Sequence, residues 1–397
     1  MPTLLQINTG ANWGSTGTIA EQIGELSMNS GWDSFIAYGR NANPSKSHLI
    51  KIGTTRDVYE HALYSRITGR HGLASSGPTR KIIEHIDRIK PDIVHLHNIH
   101  GYYINYKLLF EYLNKGNTPI VWTLHDCWSF TGHCAHFVEI NCEKWKTHCR
   151  SCPIVRDYPC AYYDRSYSNF ELKRELFSYN KNLHIIPVSQ WLAGFVRQSF
   201  LKSNDIRVFH NGIDLSLFHP QNTSISNKFL IIGVSSIWNR AKGLYDFYNL
   251  RRLLDAARYD IMLVGLSVRQ IKDLPDGIIG IIRTNSMQEL AMLYSAADVF
   301  VNPTYADTFP TTNLEALACG IPVVTYRTGG SPEAVTPETG IVVEQGDIAG
   351  LSNAIQAIEG KRKGFFRDIC RAHAEESFDK WKCFHRYIDL YNTILDR

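Results

Sequence analysis

Residues 297–330 read ADVFVNPTYADTFPTTNLEALACGIPVVTYRTGG. DVFVNP is a short β-branched run closed by Pro303, which predicts a buried strand; NLEALACG has helical apolar spacing and stops at Gly320; PVVTY predicts a second buried strand. Strand, loop, helix and strand make a βαβ unit. In an open parallel sheet the loop of such a unit lies beyond the carboxyl end of its strand, where ligands bind. Asp307 therefore falls in a crevice, and Glu315, eight positions on in the early helix, can face it. Thr311, Thr312 and Asn313 are candidate caps, and the free backbone N–H groups around them suit an anion or sugar hydroxyls. The plain alternative is a solvated loop acid beside a surface helix residue.

The same alternation extends to both ends of the chain. TLLQIN, DSFIAYG, DIVHLHN, PIVWTLH, HIIPVS and IRVFHNG predict strands in the first half, with helices over GTIAEQIGELSMNSG and near 79–90, 105–114, 168–180 and 190–201. After the polar PQNTSISNK, a second series runs FLIIGVSS, YDIMLVG, GIIGII, DVFVNP, PVVTY and GIVVE. This is an α/β pattern of parallel, doubly wound sheets in two Rossmann-like domains, with a cleft expected between them. The expected domains are 1–215, carrying a Cys-rich insertion at 127–160, and 216–375, followed by an amphipathic helix over 376–397.

Length and composition fit this reading. The 397 residues suffice for two cores, and 20% charged with 44% hydrophobic residues is ordinary for a globular protein. No apolar run approaches the roughly 20 residues of a spanning helix, and MPTLLQINTG is too short and polar for a signal peptide, which predicts a cytoplasmic chain. The net charge of +4 is unevenly spread: residues 1–215 hold 23 Lys and Arg against 18 Asp and Glu, and 13 of the 16 His. A nucleic-acid binder needs a stronger basic stripe, so the first half better suits an anionic acceptor or a membrane surface. A solvated basic face is the simpler reading.

Several motifs sit at predicted strand ends. SSIWNRAKGL places Arg240 and Lys242 after the first strand of the second series, where two fixed cations suit an anion; a solvated helix entry is the plain alternative. TGANWGSTGTIAEQI puts Gly14, Ser15, Thr16 and Gly17 at a turn opening a helix whose N-terminus can approach phosphate. It is neither a full dinucleotide fingerprint nor a Walker loop. WTLHDCW puts His125 at a strand end, with Asp126 as an orienting partner; a core histidine bonded to backbone competes. In HLHNIHGYY, His95 and His97 share one strand face and His100 lies beyond it, a poor arrangement for a metal. RITGRHGLASSGPTRK offers Arg66, Arg70, His71, Arg80 and Lys81 as cations.

Six of the nine Cys lie between 127 and 160. Disulfides do not suit a cytoplasmic chain, so Cys149-x-x-Cys152 with Cys142 and Cys134 reads as a structural tetrahedral zinc knuckle or as free thiols. His133, His136 and His148 are alternative ligands.

The 297–330 segment also resembles the donor-site signature of the retaining family-4 glycosyltransferases of GT-B fold, in which an acid, seven residues and a Glu precede a small-residue helix and a G-x-P-V-V strand. VFHNGIDLSLF resembles the N-G-[VI]-D-x-x-x-F hinge of that family, with Asp214 and Phe218 as its anchors. The Cys-rich insertion resembles a capsule and colanic-acid-like branch. The resemblance implies a GT-B architecture with its last helix crossing back to the first domain, and a sugar moved from a nucleotide-diphosphate donor to a surface-glycan acceptor, lipid-linked and met at the inner membrane face. It implies that Lys242, with Arg240, holds the diphosphate; that Glu315 binds ribose and Asp307 the transferred sugar; and that Phe309, Thr311, Thr312 and the Gly14–Gly17 loop complete the donor site. His125 lies near the reacting sugar, and Arg66, Arg70, His71 and Arg80 meet the acceptor. No cofactor is required for catalysis and no nucleic acid is bound. Three departures stand out: Asp307 where Glu is usual, Pro310 where Gly is usual, and Ile237 where Arg is usual. Asp307 and His125 stay open as alternative nucleophiles. The rivals are a nucleotide-sugar 2-epimerase of the same fold and a sugar-binding or scaffold protein without catalysis.

Overall fold

A computed structural model of the chain describes residues 1–361 and 364–396. Arg362, Lys363 and Arg397, within the expected second domain and last helix, lie outside the described residues. Two compact units divide the chain: Met1–His210 together with the segment from Phe384 onward, and Asn211–Cys383.

The first unit is built on β1 (Thr3–Asn8), α1 (Gly14–Asn29), β2 (Asp33–Tyr38), β3 (His48–Lys51), α2 (Thr55–Thr68), α3 (Ser76–Ile89), β4 (Ile93–Leu96), α4 (Tyr106–Leu113), β5 (Ile120–Leu124), α5 (Ser166–Ser178), β6 (Leu183–Pro187), α6 (Gln190–Val196) and β7 (Asp205–Ile206). Its seven strands run in the order β3-β2-β1-β4-β5-β6-β7, all parallel. The second unit holds β8 (Phe229–Val234), α7 (Leu244–Leu253), β9 (Tyr259–Val264), α8 (Val268–Lys272), β10 (Ile278–Ile281), α9 (Met287–Ala296), β11 (Val299–Asn302), α10 (Thr311–Ala318), β12 (Val323–Tyr326), β13 (Gly340–Val343), α11 (Ile348–Glu359) and α12 (Arg367–Ser377). Its six strands run β10-β9-β8-β11-β12-β13, again parallel. Both sheets are thus doubly wound. Each reverses its strand order once, between β1 and β4 and between β8 and β11, and such a reversal opens a crevice at the strands' carboxyl ends.

The central strands form where sequence predicts them because they are buried on both faces: β4, β5 and β12 are buried throughout. Two elements were not expected. β3 is an edge strand with no fully buried residue, and α2 buries only His61 and Ser65, so neither presents an apolar face to the core. IRVFHNG contributes only Ile206 to the sheet, together with the preceding Asp205.

The division falls at 210/211 rather than after 215, for a visible reason. Ile213 bridges Asp379, its N–H donating to Phe378 O at 2.7 Å and its carbonyl accepting from Lys380 N at 3.0 Å. Lys380 Nζ also pairs with Asp214 at 2.7 Å, so the N-G-I-D turn is held by the second unit's own last residues. The last helix, α13 (Lys380–Leu395), packs its later turns on the first unit. Tyr387 Oη bonds Thr123 Oγ1 at 3.0 Å and Tyr391 Oη bonds His95 Nδ1 at 2.6 Å.

Candidate functional site

In the second unit the loops after β8 and β11 are tied together at the strand reversal. Ala241 O accepts Tyr305 N at 2.8 Å and Thr304 Oγ1 at 3.3 Å. Asn239 caps the short turn Arg240–Lys242 by accepting Lys242 N at 3.0 Å. Gly243 follows at φ +71°, and a Cβ there would stand 2.2 Å from Pro303 O, so only glycine lets the loops approach this closely. These contacts deliver Lys242 to Asp307: Nζ donates to Oδ2 at 2.6 Å and reaches Ala306 O at 3.4 Å. Both side chains are partly exposed, at 34% and 21%, so the pair is open to a ligand. Arg240 is exposed and acts electrostatically on the buried Asp246.

Glu315 is less open than the Lys242–Asp307 pair. It is 8% exposed, and its Oε2 accepts from Tyr294 Oη of α9 at 2.9 Å. Burial pushes its carboxyl up to about 7, against the hydrogen bonds of Tyr294 and Thr311. Thr311 and Thr312 are half-buried, and neither caps α10; Pro310 holds the N-cap position without a side-chain bond. Asn313 is no cap either. It is fully buried in a network that accepts from Asn302 Nδ2 at 2.8 Å and donates to Ser331 Oγ at 2.8 Å, because the helix packs this face onto β12. The Phe309 ring is buried 6.0 Å from Phe378 rather than displayed as a stacking surface.

Sequence reasoning did not single out Gly329, Asp246 or Tyr294. Gly329, at φ +59°, would put a Cβ 1.7 Å from Asp307 O, and Gly330 N donates to that oxygen at 3.3 Å. The Gly-Gly pair after PVVTY thus backs the Asp307 loop, and its place after a strand was the available signal. Asp246 accepts from Tyr326 Oη at 3.0 Å, and burial raises its carboxyl.

The first unit presents an open pocket of about 410 Å³ at its own reversal, lined by Thr9, Gly10, Trp13, Arg40, Asn98 and Tyr158 among others. Thr16 also lines it and is held by Asn8 Nδ2 at 3.3 Å; Gly17 is buried because a Cβ there would meet Gly10 O at 3.1 Å. Gly14 and Ser15 are exposed at the start of α1, whose first turn has neither a side-chain cap nor an acid. Trp13, 51% exposed immediately before Gly14, was legible as an exposed aromatic only once the fold was known.

His125 follows β5 and bonds His97 Nδ1 at 3.2 Å, while His97 Nε2 meets Gln6 Oε1 at 3.0 Å. Burial pushes the His125 imidazole down to about 4, with Asp126 opposing. It is therefore neutral near pH 7, able to exchange hydrogen bonds but not to supply charge. Asp126 orients His100, not His125: its Oδ2 meets His100 Nε2 at 2.8 Å, and Tyr158 Oη bonds the other ring nitrogen at 3.0 Å. Burial raises the Asp126 carboxyl, but His100, His136 and the Trp128 amide outweigh it and hold the group below the ordinary carboxylate range.

His95 and His97 are core residues, their rings 4.1 Å apart and their nitrogens bonded to Thr123, Tyr391, Gln6 and His125. His71 is also a correction. It is 3% exposed and accepts from Trp128 Nε1 at 2.8 Å; burial drives its pKa well down, so it is not a cation for an acceptor. Arg66, Arg70 and Arg80 are exposed as expected of surface cations. Another cavity, about 310 Å³, lies around Phe229, Asp298 and Pro322 at the amino ends of the second sheet, and none of the expected site residues lines it.

The family described as Glycosyl transferases group 1 matches residues 228–359, and Glycosyltransferase Family 4 matches residues 20–217. The chain belongs to the family-4 glycosyltransferases. Among curated proteins it is 24% identical to WcaC of Escherichia coli (strain K12), described as a colanic acid biosynthesis glycosyl transferase, over 98% of this chain and 100% of that one. It is 27% identical to a Campylobacter jejuni N,N'-diacetylbacillosaminyl-diphospho-undecaprenol alpha-1,3-N-acetylgalactosaminyltransferase, over 53% of this glycosyltransferase and 60% of that protein. Among solved structures, sucrose-phosphate synthase from Thermosynechococcus elongatus superposes with a TM-score of 0.75 at 17% identity, covering 100% of both chains. Anabaena Alr3699/HepE in complex with UDP-glucose gives 0.66 at 15% identity, covering 98% of this chain and 99% of that one. Both likenesses bear on the fold, which is that of the GT-B glycosyltransferases.

Proposed function

We propose that this glycosyltransferase transfers a sugar, with retention, from a nucleotide-diphosphate sugar to a lipid-linked acceptor in surface-polysaccharide synthesis. The observation that carries the reading is the partly exposed Lys242–Asp307 pair at the β8/β11 reversal, 2.6 Å apart. A diphosphate leaving group gains charge as the glycosidic bond breaks, and a fixed ammonium with Arg240 beside it stabilises that charge without a metal. Asp307, released from Lys242 by the phosphates, accepts hydrogen bonds from the sugar's hydroxyls. Glu315 accepts from the ribose, whose hydroxyls favour its ionised form. The bond from C1 to the leaving phosphate oxygen breaks, the acceptor oxygen bonds C1 on the same face, and its proton passes to the leaving phosphate. The C1 centre is oxocarbenium-like in between.

In the first unit the 410 Å³ pocket offers an acceptor sugar the Trp13 face and the Arg40 guanidinium. His125, neutral, is suited to hold a sugar hydroxyl. Acceptors joined to lipid through diphosphate fit the exposed Arg66, Arg70 and Arg80. They are accompanied on α2 by Tyr59, Leu63 and Ile67, exposed at four-residue spacing by 72%, 59% and 48%, a stripe suited to peripheral membrane contact. No helix among the described residues is long and apolar enough to cross a membrane. Both curated relatives named above are described as glycosyltransferases, one acting on a diphospho-undecaprenol substrate, and one of the solved structures holds UDP-glucose; none lends the 2-epimerase alternative support.

The test is release of nucleoside diphosphate from a panel of donors, with uridine donors first. Slow release that a lipid-diphosphate glycan accelerates, and that Lys242→Ala and Glu315→Ala abolish, is expected. Full turnover in both variants would sink the reading.

A further inference from the structure

From Cys127 to Cys160 the backbone forms three short 3-10 turns, Trp128–Phe130, Val138–Ile140 and Lys144–Lys146, and no strand or α-helix. What packs there is a small aromatic nucleus: Trp145 lies 5.4 Å from Phe130, 5.1 Å from Phe137 and 5.4 Å from Phe195. A segment so poor in backbone ladders gains much from a cross-link.

Four thiols are gathered beside that nucleus. Cys134, Cys142, Cys149 and Cys152 line one cavity of about 20 Å³, and each acts electrostatically on the other three. Gly132 N donates to Cys149 Sγ at 3.2 Å, the kind of amide bond that favours a thiolate. Lys144 Nζ donates to the carbonyls of Arg150 and Ser151 at 3.0 and 2.7 Å, clamping the turn between Cys149 and Cys152. Among the described residues no three thiols, imidazoles or carboxylates have already converged on one point as metal ligands. Binding therefore requires the thiols to turn inward.

A second observation asks for negative charge at the same place. Lys173 is 1% exposed; its Nζ donates to Trp128 O at 2.6 Å and Thr131 O at 3.0 Å and lies 3.4 Å from the centre of the Trp128 ring. No carboxylate among the described residues forms an ion pair with it; burial drives its pKa well down, and Cys149, Cys134 and, less, Asp126 oppose that from within electrostatic reach. Burial disfavours the charged form of this amine, and anionic sulfur beside it would favour that form where neutral thiols do not.

We propose that Cys134, Cys142, Cys149 and Cys152 bind one zinc ion as a structural tetrathiolate, with Lys173 as the buried counter-charge. Four sulfurs at about 2.3 Å close a tetrahedral site with no position open to substrate. Up to four protons leave as the metal binds, and the resulting dianion faces the ammonium. His133, 2% exposed on the same cavity, has no hydrogen-bond partner on either ring nitrogen, although the carbonyls of Val155 and Asp157 act on it. It stands ready to donate to a ligating sulfur.

The experiment uses the full chain purified without an affinity tag. Elemental analysis is expected to find about one zinc per chain, kept in Cys160→Ser and lost in Cys142→Ser and Cys152→Ser. Because a ligand variant can fail to fold, the wild-type protein carries the decisive readout: cobalt exchanged for zinc should give the intense charge-transfer bands of four thiolates. Lys173→Met should release zinc to a chelator about 10–100-fold more readily, the usual effect of removing a group that supports metal ligands. A folded wild-type chain that is metal-free or iron-loaded, a Cys149–Cys152 disulfide found by non-reducing mass spectrometry, or unchanged retention in the Lys173 variant overturns the corresponding part.

Discussion

The two sheets reverse their strand order in the same way, β1 against β4 and β8 against β11, yet carry opposite chemistry at the reversal. The second unit displays charge: Lys242 and Asp307 are fixed by glycine turns and left partly open. The first unit displays rings, amides and the single cation Arg40 around its pocket, with the His100–Asp126 contact largely buried beside Tyr158. The same topology therefore carries a partly open ion pair in one unit and a pocket of about 410 Å³ in the other. What decides between them is the handful of residues after each strand, not the strands.

The largest blow to this contrast is Lys242→Ala. Losing one preorganised donor to a leaving group costs about 10²–10³ in kcat, and the measurement is donor turnover at saturating acceptor. A loss of only a few-fold would mean that Lys242 serves the loop rather than the diphosphate.

Glu315→Gln tests the buried end of the same site. The ordinary carboxyl titrates at 4.5 and the folded one at about 7. Between those pH values the folded chain keeps a proton that the unfolded chain has lost. Stability thus falls as pH rises through that window, by ~3 kcal/mol at most, and loses no more above it. Thermal melts from pH 5 to 8 should show this slope in the wild type and not in Glu315→Gln. Nucleotide affinity should rise over the same window in the wild type and less in the variant, since ribose hydroxyls favour the ionised carboxylate.

Gly329→Ala is expected to lower Tm by several degrees and to weaken donor binding, because it places a side chain at positive φ against Asp307 O. Near-normal donor affinity would show that the Gly-Gly turn does not set the position of Asp307. Trp13→Ala is the mildest change, raising the acceptor KM a few-fold and the donor KM less. The reverse pattern would move the donor into the first unit's pocket.

Much of this was legible because parallel strands buried on both faces announce themselves as β-branched runs, and strand ends locate loops. Lys242-Gly243 and Asp307 could be placed at strand ends from sequence for that reason. Their mutual contact, across 65 residues, could not, since it depends on β11 lying next to β8. Partners chosen between loops were equally hidden: Asp126 stands beside His125 in sequence but bonds His100. His71 read as surface charge because the basic residues around it are exposed, and nothing local reveals that Trp128 covers it. β3 and α2 escaped because neither buries an apolar face: β3 has no fully buried residue, and α2 buries only His61 and Ser65.

The Lys242–Asp307 contact has a consequence for product release. Asp307 already satisfies the ammonium, so in the proposed site a bare nucleoside diphosphate must separate the pair and leave a carboxylate stranded beside its own phosphates. An intact donor separates it too, but rehouses Asp307 on sugar hydroxyls. The proposed site is thereby selective for the loaded carrier over the spent one, and turnover tends to expel its own by-product.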